Sequence, residues 1–401
     1  MSSLTTPPSS APLTFTPVSD LPFLRVHGRT KDGADPLPLF WNNSGIEFCT
    51  DASEVWVEIE TDSGFHEPWV AFDLNGSLMS RQMLLPGTTQ VCLFRSMTKG
   101  VRKTGDFYRE LQAMGEDERC HVLVRGLWSD GEFFALPEKR CRIEFIGDSI
   151  TSGEGTYGAV QDTDWLAMYM SSSRQYASLV GKALQADIRL ISQGGWGVYC
   201  GWDNDPRHRI PAIYGKICGL ATGAANEALG AQEMYDFAWQ PDVIVINLGT
   251  NDSSGFNTPP FTVPTGEAAY VFCGDPEKVP DYAGRTFKLR RDAAGARLQE
   301  DEQKIEDAAV DFLYMLRRHN PNAHLLWAYG MLGYDLTPVL AGAVRRYQRE
   351  SGDMNSAFIN LPDTRPDEYG AHMHPGAASH ARAALVLEDY IRRLPTLAGK
   401  L

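Results

Sequence analysis

The first 140 residues alternate apolar and polar positions in short segments separated by turn residues. These segments are GIEFC, EVWVEIE, WVAFDLNG, QVCLFR and CHVLVRGL. A period of two predicts strands that bury one face, and their close spacing predicts an antiparallel β-sandwich. Only GDFYRELQAMGEDERC breaks the alternation, and we interpret it as a helical insertion. We predict a disordered lead over residues 1–20, because MSSLTTPPSSAPLTFTP is polar and rich in proline, and the sandwich over residues 21–140.

From residue 141 onward the pattern changes to apolar runs that alternate with helical periodicity. The runs RIEFIG, IRLIS, DVIVINLG and HLLWAYG predict strands, and the helical patterns lie near 176–184, 224–238, 304–317 and 377–394. DVIVINLG is almost continuously apolar, as in a strand buried on both faces. The alternation predicts a doubly wound α/β domain over residues 141–401 with a largely parallel sheet. An irregular insertion at 253–300 carries five prolines, and loops of this length are usually functional or mobile.

Composition and charge argue against several classes of binding partner and cofactor. The chain has 37 Lys and Arg against 51 Asp and Glu, a net charge of −14, which argues against nucleic acid and anionic membranes as partners. Its seven cysteines are scattered without a Cys-x-x-Cys pair, so neither a disulfide framework nor a metal site is expected. No nucleotide fingerprint occurs either, and we expect no cofactor. The N-terminus lacks the features of a secretory signal, and we expect a cytoplasmic location.

Four segments with polar or glycine-rich chemistry lie where an open parallel sheet binds its ligands. GDSIT, SQGGWGVYCGW and NLGTND each follow a predicted strand, and GAHMHPGAASH precedes the last helix. Ser149 is either a turn residue or a nucleophile, and a nucleophilic serine needs a base to take its proton. His374, in a loop that enters a helix, is the favoured base, with His372 and His380 as alternatives.

A serine nucleophile also needs donors that stabilise the oxyanion of the tetrahedral intermediate. The backbone N–H of Ser149, the N–H of Gly195 and the side chain of Asn251 are the candidates, with Gly194 and Gly197 as alternative glycines. The competing interpretations are a tight bend for the glycines and a helix cap for Asn251.

Other polar and aromatic residues flank these segments. We expect Asp148 and Asp252 to be structural and to accept hydrogen bonds from loop amides. Trp196 and Trp202 flank the glycine block and are candidates for stacking on a substrate, although a lone tryptophan more often belongs to the core.

Together the four segments resemble the SGNH (GDSL-type) hydrolase superfamily. The order of the two halves, with FWNNSG early and RIEFIGDSIT directly after the sandwich, is similar to carbohydrate esterase family two. This resemblance implies a jelly-roll domain followed by an SGNH domain, with Ser149 as nucleophile and His374 as base. It also implies Ser149, Gly195 and Asn251 as oxyanion donors.

The sequence departs from the family pattern just before the histidine. SGNH enzymes usually carry an orienting aspartate two or three residues earlier, where this chain has His372 and Ala371. Asp367 and Asp363 lie farther upstream and are the remaining candidates. Since some members of the esterase family use a Ser–His dyad steered by a backbone carbonyl, we favour that arrangement here.

The resemblance implies a serine O-acetylesterase acting on acetylated xylo- or manno-oligosaccharides. Two alternatives stay open: a lipid or thioester hydrolase on the same scaffold, with the 253–300 insertion forming an acyl channel, and a non-catalytic carbohydrate-binding protein. The insertion either closes over the site or packs on a neighbouring subunit of a homo-oligomer.

Overall fold

The computed structural model describes residues 6–401, and its N-terminal part consists of short strands. In chain order they are β1 (Thr14–Pro17), β2 (Arg25–His27), β3 (Leu37–Pro38), β4 (Gly45–Thr50), β5 (Val55–Asp62), β6 (Trp69–Leu74), β7 (Ser77–Met83), β8 (Gly87–Phe94), β9 (Lys103–Arg109), β10 (His121–Ser129) and β11 (Phe133–Phe134). They form two antiparallel sheets. One has the order β1-β10-β5-β8 with β3 on β10, and the other has β11-β4-β9-β6-β7 with β2 on β4.

The two sheets bury a shared apolar core. Alternate residues of the facing strands, such as Val57, Ile59, Phe72 and Phe107, are fully buried in it. Burying a side chain of this size contributes about 1.5–3 kcal/mol. Burial of the alternating apolar residues is therefore the main source of stability for this half.

Two predictions for this half are wrong. Residues 14–17 of the predicted disordered lead form β1, which pairs with β10; residues 1–5 of that lead lie outside the described residues. The predicted helical insertion is absent, because Lys103–Arg109 is a strand and the following residues form turns. The Asp117 carboxylate ties these turns to the segment after β5 by accepting the N–H groups of residues 64–66. It also accepts the N–H of Arg119, two residues on, and a local contact of this kind favours turns over helix.

The C-terminal part alternates strands and helices. Its elements are β12 (Arg142–Gly147), α1 (Ser149–Ser152), α2 (Tyr176–Leu184), β13 (Asp187–Ser192), α3 (Ala224–Ala228), β14 (Val243–Asn247), α4 (Thr250–Gly255), β15 (Phe261–Thr262), α5 (Val279–Tyr282), β16 (Thr286–Phe287), α6 (Gln299–His319), β17 (His324–Gly330), α7 (Thr337–Ser351), β18 (Ser356–Leu361) and α8 (Ala377–Arg392). The main sheet is parallel, in the order β13-β12-β14-β17-β18.

Helices cover both faces of this parallel sheet. Ile244 and Ile246 of β14 pack in one core with α6 and α7, whereas Val243 and Val245 pack in the other with α2 and α8. Burial on both faces explains the continuous apolar run in β14. The mixed architecture agrees with the predicted fold class. Within residues 6–401, no helix has the length and apolar character needed to cross a bilayer.

Several element bounds differ from the prediction. The helix expected over 224–238 ends at Ala228, because Gly230 adopts a left-handed backbone with φ of 89°. Helix α6 is longer at both ends than the predicted 304–317, and α8 ends at Arg392. Helix α7 and strand β18 were not predicted.

The 253–300 insertion is folded onto the rest of the chain. It begins inside α4 and contains the β15–β16 pair. The Phe272 ring lies edge-on to Trp196, 5.4 Å between ring centroids. The side chain of Asn204 accepts the N–H of Leu289 and donates to the carbonyl of Gly255. The insertion thus supports the glycine-rich segment that follows β13.

Buried polar contacts join the two halves. The guanidinium of Arg29 is fully buried and pairs with Glu144 of β12 at 3.0 Å. Trp41 donates its indole N–H to the carbonyl of Ile217 at 2.8 Å. Asn42 donates to the carbonyl of Thr151, in the helix that begins with Ser149. The sandwich therefore contacts the α/β half close to its predicted nucleophile.

Candidate active site

Ser149 lies at the carboxyl end of β12, as the first residue of the short helix α1. The Asp148 carboxylate caps this helix by accepting the N–H of Ile150 at 3.0 Å. Gly147 is required for close approach, because a Cβ there would lie 1.9 Å from the hydroxyl oxygen of Thr151. The strand-to-helix turn thus holds the Ser149 hydroxyl at the edge of the sheet where ligands bind.

His374 contacts Ser149 directly. Its Nε2 lies 2.9 Å from the Ser149 Oγ, and its Nδ1 lies 2.7 Å from the carbonyl oxygen of His372. Since a carbonyl only accepts, the Nδ1 carries the proton and the Nε2 is free to accept the hydroxyl proton. His372 has the left-handed backbone (φ 51°, ψ 35°) that turns its carbonyl toward the ring.

Neither proposed orienting aspartate contacts His374. Asp363 accepts the N–H of Gly333 at 2.9 Å, and Asp367 is exposed to solvent. The orienting contact comes from the His372 carbonyl instead, which is the arrangement that we favoured from the sequence. Of the alternative bases, His380 is buried in α8 and accepts the N–H of Tyr176.

Among the three candidate glycines, Gly195 has the free donor. The N–H of Gly194 donates to the Gln112 side chain at 2.8 Å, and that of Gly197 donates to the carbonyl of His208. The N–H of Gly195 donates to no other residue in the described part of the chain. The N–H of Ser149 opens α1 and has no acceptor within its helix.

Asn251 lies in the first turn of α4, directly after β14. Its Nδ2 donates to the carbonyl of Trp196 at 2.9 Å and lies 3.3 Å from the Asp148 carboxylate. The first contact orients the amide, and the second is long enough to be exchanged for a bound oxyanion. Ser149, Gly195 and Asn251 thus offer the donors that an acyl-transfer site requires.

The two structural aspartates behave as predicted. Asp252 accepts the N–H groups of Val198, Tyr199 and Cys200 at 2.9, 2.8 and 3.1 Å and so shapes the glycine-rich segment. Burial raises its pKa. Burial, with smaller contributions from neighbouring carboxylates, raises the pKa of Asp148 to about 7.

The two tryptophans have different surroundings. Trp196 is 1% exposed, and its ring stacks on His208 at 5.1 Å between centroids. Its predicted stacking on a substrate is wrong, because the neighbouring insertion covers the ring; its carbonyl instead holds Asn251. Trp202 is 52% exposed, and a Cβ on Gly195 would lie 3.1 Å from its Cδ1. Trp202 therefore remains a candidate for contact with a substrate.

Sequence analysis missed two residues at this site. Glu154 is buried, and its Oε1 lies 2.6 Å from the Nδ1 of His372 and 3.7 Å from the Nδ1 of His374. Gln112 comes from the sandwich half and accepts the N–H of Gly194. The GEG sequence after the nucleophile was the only available signal for Glu154, and nothing local marks Gln112.

Charges around Glu154 set its ionisation. Burial alone would raise its pKa, but the interaction with a protonated His374 and the hydrogen bond and charge of His372 outweigh burial and lower it. The hydrogen bond to Glu154 in turn raises the pKa of His372. Glu154, His372 and His374 bring potential metal-ligand atoms within 4.8 Å of one another. Glu154 and His372 bond to each other and His374 bonds to the His372 carbonyl, so we interpret them as an acid–base cluster.

Comparison with known proteins agrees with this geometry. Residues 143–387 match the family model of the GDSL-like lipase/acylhydrolases. The solved acetyl xylan esterase Est2A from Butyrivibrio proteoclasticus is 50% identical, with 95% of this chain and 98% of that chain covered and a TM-score of 0.89. A family two carbohydrate esterase from Clostridium thermocellum shares the fold at 22% identity, with 94% and 100% covered and a TM-score of 0.72.

A longer relative matches as well. Cellulase/esterase CelE from Acetivibrio thermocellus is 25% identical over 375 residues, which are 91% of this chain and 39% of CelE. The chain thus spans about two fifths of the length of this curated relative. The match to the family model covers well over half of the chain, and it includes the segments that carry Ser149, Gly195, Asn251 and His374. The chain belongs to the GDSL-like lipase/acylhydrolase family.

Proposed function

We propose that this protein is a carbohydrate O-acetylesterase that removes acetyl groups from acetylated xylo- and manno-oligosaccharides. The observation that carries the proposal is the 2.9 Å contact between the Ser149 Oγ and the His374 Nε2, beside a Gly195 N–H that donates to no acceptor within residues 6–401. The similarity of the chain to an acetyl xylan esterase, at 50% identity, supports the choice of substrate class.

The first half of the proposed reaction forms an acetyl-enzyme. His374 takes the Ser149 hydroxyl proton at its Nε2 while the Oγ attacks the acetyl carbonyl carbon. The carbonyl oxygen becomes an oxyanion that accepts hydrogen bonds from the N–H groups of Ser149 and Gly195 and from Asn251. The C–O bond to the sugar then breaks, and the sugar hydroxyl leaves with the proton from His374.

The second half hydrolyses the acetyl-enzyme. A water gives its proton to His374 and attacks the same carbonyl carbon, with the oxyanion again held by the same donors. Breaking the bond to Ser149 returns the proton to its Oγ and releases acetic acid, which ionises to acetate. Since His374 keeps its Nδ1 proton and donates it in a hydrogen bond to the His372 carbonyl throughout, the imidazole keeps the tautomer that both halves require.

Acetate release from acetylated xylo- and manno-oligosaccharides tests the proposal, with para-nitrophenyl octanoate measured in parallel. We expect release by the wild type and loss of release in Ser149→Ala, whose folding is checked by its unfolding midpoint. Octanoate cleavage without acetate release would favour a lipid or thioester hydrolase. Oligosaccharide binding without turnover of any ester would favour a carbohydrate-binding protein.

We also propose that the protein works in a reducing compartment. The seven cysteines are all unpaired, and Cys200 and Cys218 are buried in the α/β core. Thiol titration of protein alkylated within its own cells checks this, and we expect seven reduced cysteines.

A further inference from the structure

The loop after the nucleophile brings a carboxylate to the back of His374. Helix α1 ends at Ser152 and is capped by Gly153, which is left-handed with φ of 75°, and Glu154 follows. The side chain of Glu154 is only 7% exposed, and its Oε1 lies 3.7 Å from the Nδ1 of His374. The carboxylate therefore comes from the nucleophile's own segment and not from the residues before the histidine.

In a catalytic triad, the acid both orients the histidine and stabilises its imidazolium, whereas a backbone carbonyl does only the first. It accepts the Nδ1 proton and fixes the tautomer, but it has no net charge to stabilise the imidazolium that forms when His374 takes the Ser149 proton. The Glu154 carboxylate is close enough to do so, and its burial keeps water from screening the interaction.

We propose that Glu154 is the positioning acid of this site: it provides the negative charge opposite His374 and holds His372 so that the His372 carbonyl points at the ring. This inference rests on the proposed function. It assigns to Glu154 the charge that the missing aspartate would have provided.

The contacts of His372 support the second part of this role. Its Nδ1 bonds to Glu154 at 2.6 Å, and its backbone N–H donates to the carbonyl of Asp162 at 2.6 Å. These contacts hold a non-glycine residue in the left-handed region, which is uncommon and persists only where surrounding contacts enforce it. The carbonyl of His372 is thereby fixed toward His374.

Asp148 and His380 are two other titratable groups that interact with this cluster. Asp148 lies on the nucleophile side, and the charge of Glu154 contributes to its raised pKa. His380 lies behind His374, and burial lowers its pKa to about 3, so it stays neutral at working pH. Glu154 is thus the ionised carboxylate that faces both His372 and His374.

Glu154→Gln removes the charge while it keeps the size and the acceptor oxygen. We expect kcat for acetyl esters to fall roughly 10- to 100-fold with KM nearly unchanged, because the lost interaction acts on the transition state. The loss is smaller than the ~10⁴-fold cost of removing a triad aspartate, because the His372 carbonyl still fixes the tautomer. The acidic limb of the kcat/KM profile should move to lower pH, since the imidazolium loses its counter-charge.

Two controls separate positioning from folding. Asp367→Asn changes an exposed carboxylate in the segment before His374, and it should match the wild type in both rate and pH profile. Glu154→Ala leaves a space beside His374, and we expect added formate to restore part of its activity. A purely structural defect would not respond to formate.

Titration of the His374 ring, followed by NMR in wild type and Glu154→Gln, tests the charge interaction without any substrate. A lower titration midpoint in the variant supports the inference. An unchanged midpoint, or wild-type kcat with an unmoved acidic limb, overturns it. If the wild type hydrolyses no acetyl ester, the proposed function fails, and the titration still decides whether Glu154 acts on His374.

Discussion

Asp148 makes the stability of this protein depend on pH in a calculable way. It is fully buried, and burial raises its pKa to about 7. In the unfolded chain the carboxyl titrates near 3.9. Between about pH 4 and 7 the folded protein therefore retains a proton that the unfolded chain releases, and the free energy of unfolding falls as the pH rises.

Asp148→Asn removes this titration. About three pKa units at ~1.4 kcal/mol each give about 4 kcal/mol of destabilisation that the wild type carries above pH 7. In the wild type, one oxygen of Asp148 accepts from Ile150 and the other from Asn251. The asparagine side chain has only one acceptor oxygen, so the variant loses one of these hydrogen bonds, at a cost of about 1 kcal/mol. We therefore expect the variant to be about 3 kcal/mol more stable than wild type at pH 8 and slightly less stable at pH 4.

Urea unfolding of both proteins at several pH values from 4 to 8 measures this difference. The difference in the free energy of unfolding between Asp148→Asn and wild type should grow from pH 4 and level off above pH 7. For Asp367→Asn, the free energy of unfolding should differ from wild type by the same small amount at every pH. A pH-independent difference for Asp148→Asn would refute the reasoning, because it would mean that Asp148 is already ionised at pH 4 in the folded protein. We also expect the variant to lose activity, since Asp148 caps the nucleophile helix.

Two further substitutions test other contacts. Trp202→Ala should raise KM for acetylated oligosaccharides roughly 2- to 10-fold, the value of one aromatic contact, and leave KM for para-nitrophenyl acetate unchanged. Steady-state kinetics on both substrates measures this. An equal rise in KM for both substrates would contradict a sugar contact. Arg29→Met removes the cation that pairs with the buried Glu144 and leaves it only the hydrogen bond from the Tyr214 hydroxyl. This should destabilise the protein by about 3–5 kcal/mol in denaturant unfolding, whereas the double variant with Glu144→Leu should recover much of that loss.

The parts of the site that could be predicted are those coded locally. Ser149, Gly195 and Asn251 each follow a strand of strong apolar pattern, and a parallel sheet brings the ends of its strands to one edge. The chemistry of each segment and its place after a strand were therefore enough to group them.

The parts that were missed depend on contacts between distant segments. Glu154 bonds to His372 across 218 positions, and Gln112 bonds to Gly194 across 82. Trp196 was misassigned for the same reason, since only the folded insertion covers its ring. Periodicity carries no information about such pairs.

The errors in secondary structure have a similar origin. The insertion predicted as a helix contains RELQAM at 109–114, which suits a helix, but the residues before it pair with strands β4 and β6 and are held extended. Helix α7 was overlooked although its buried apolar residues recur at helical spacing, at positions 339, 340, 343, 344 and 347, whereas β18 is short and only partly buried. In the predicted insertion, tertiary contacts thus overrode local preference.

Gln112 links the evolution of the two halves. It is a sandwich residue, yet its side chain holds the peptide next to the proposed oxyanion donor Gly195. A sandwich taken from a distant relative would need a hydrogen-bond acceptor for the Gly194 N–H in the position of the Gln112 side chain. Without that acceptor, we expect kcat to fall even if the substrate still bound. We therefore expect the two halves to be inherited together, because recombination at the boundary between them would lower turnover unless the acceptor for Gly194 were kept.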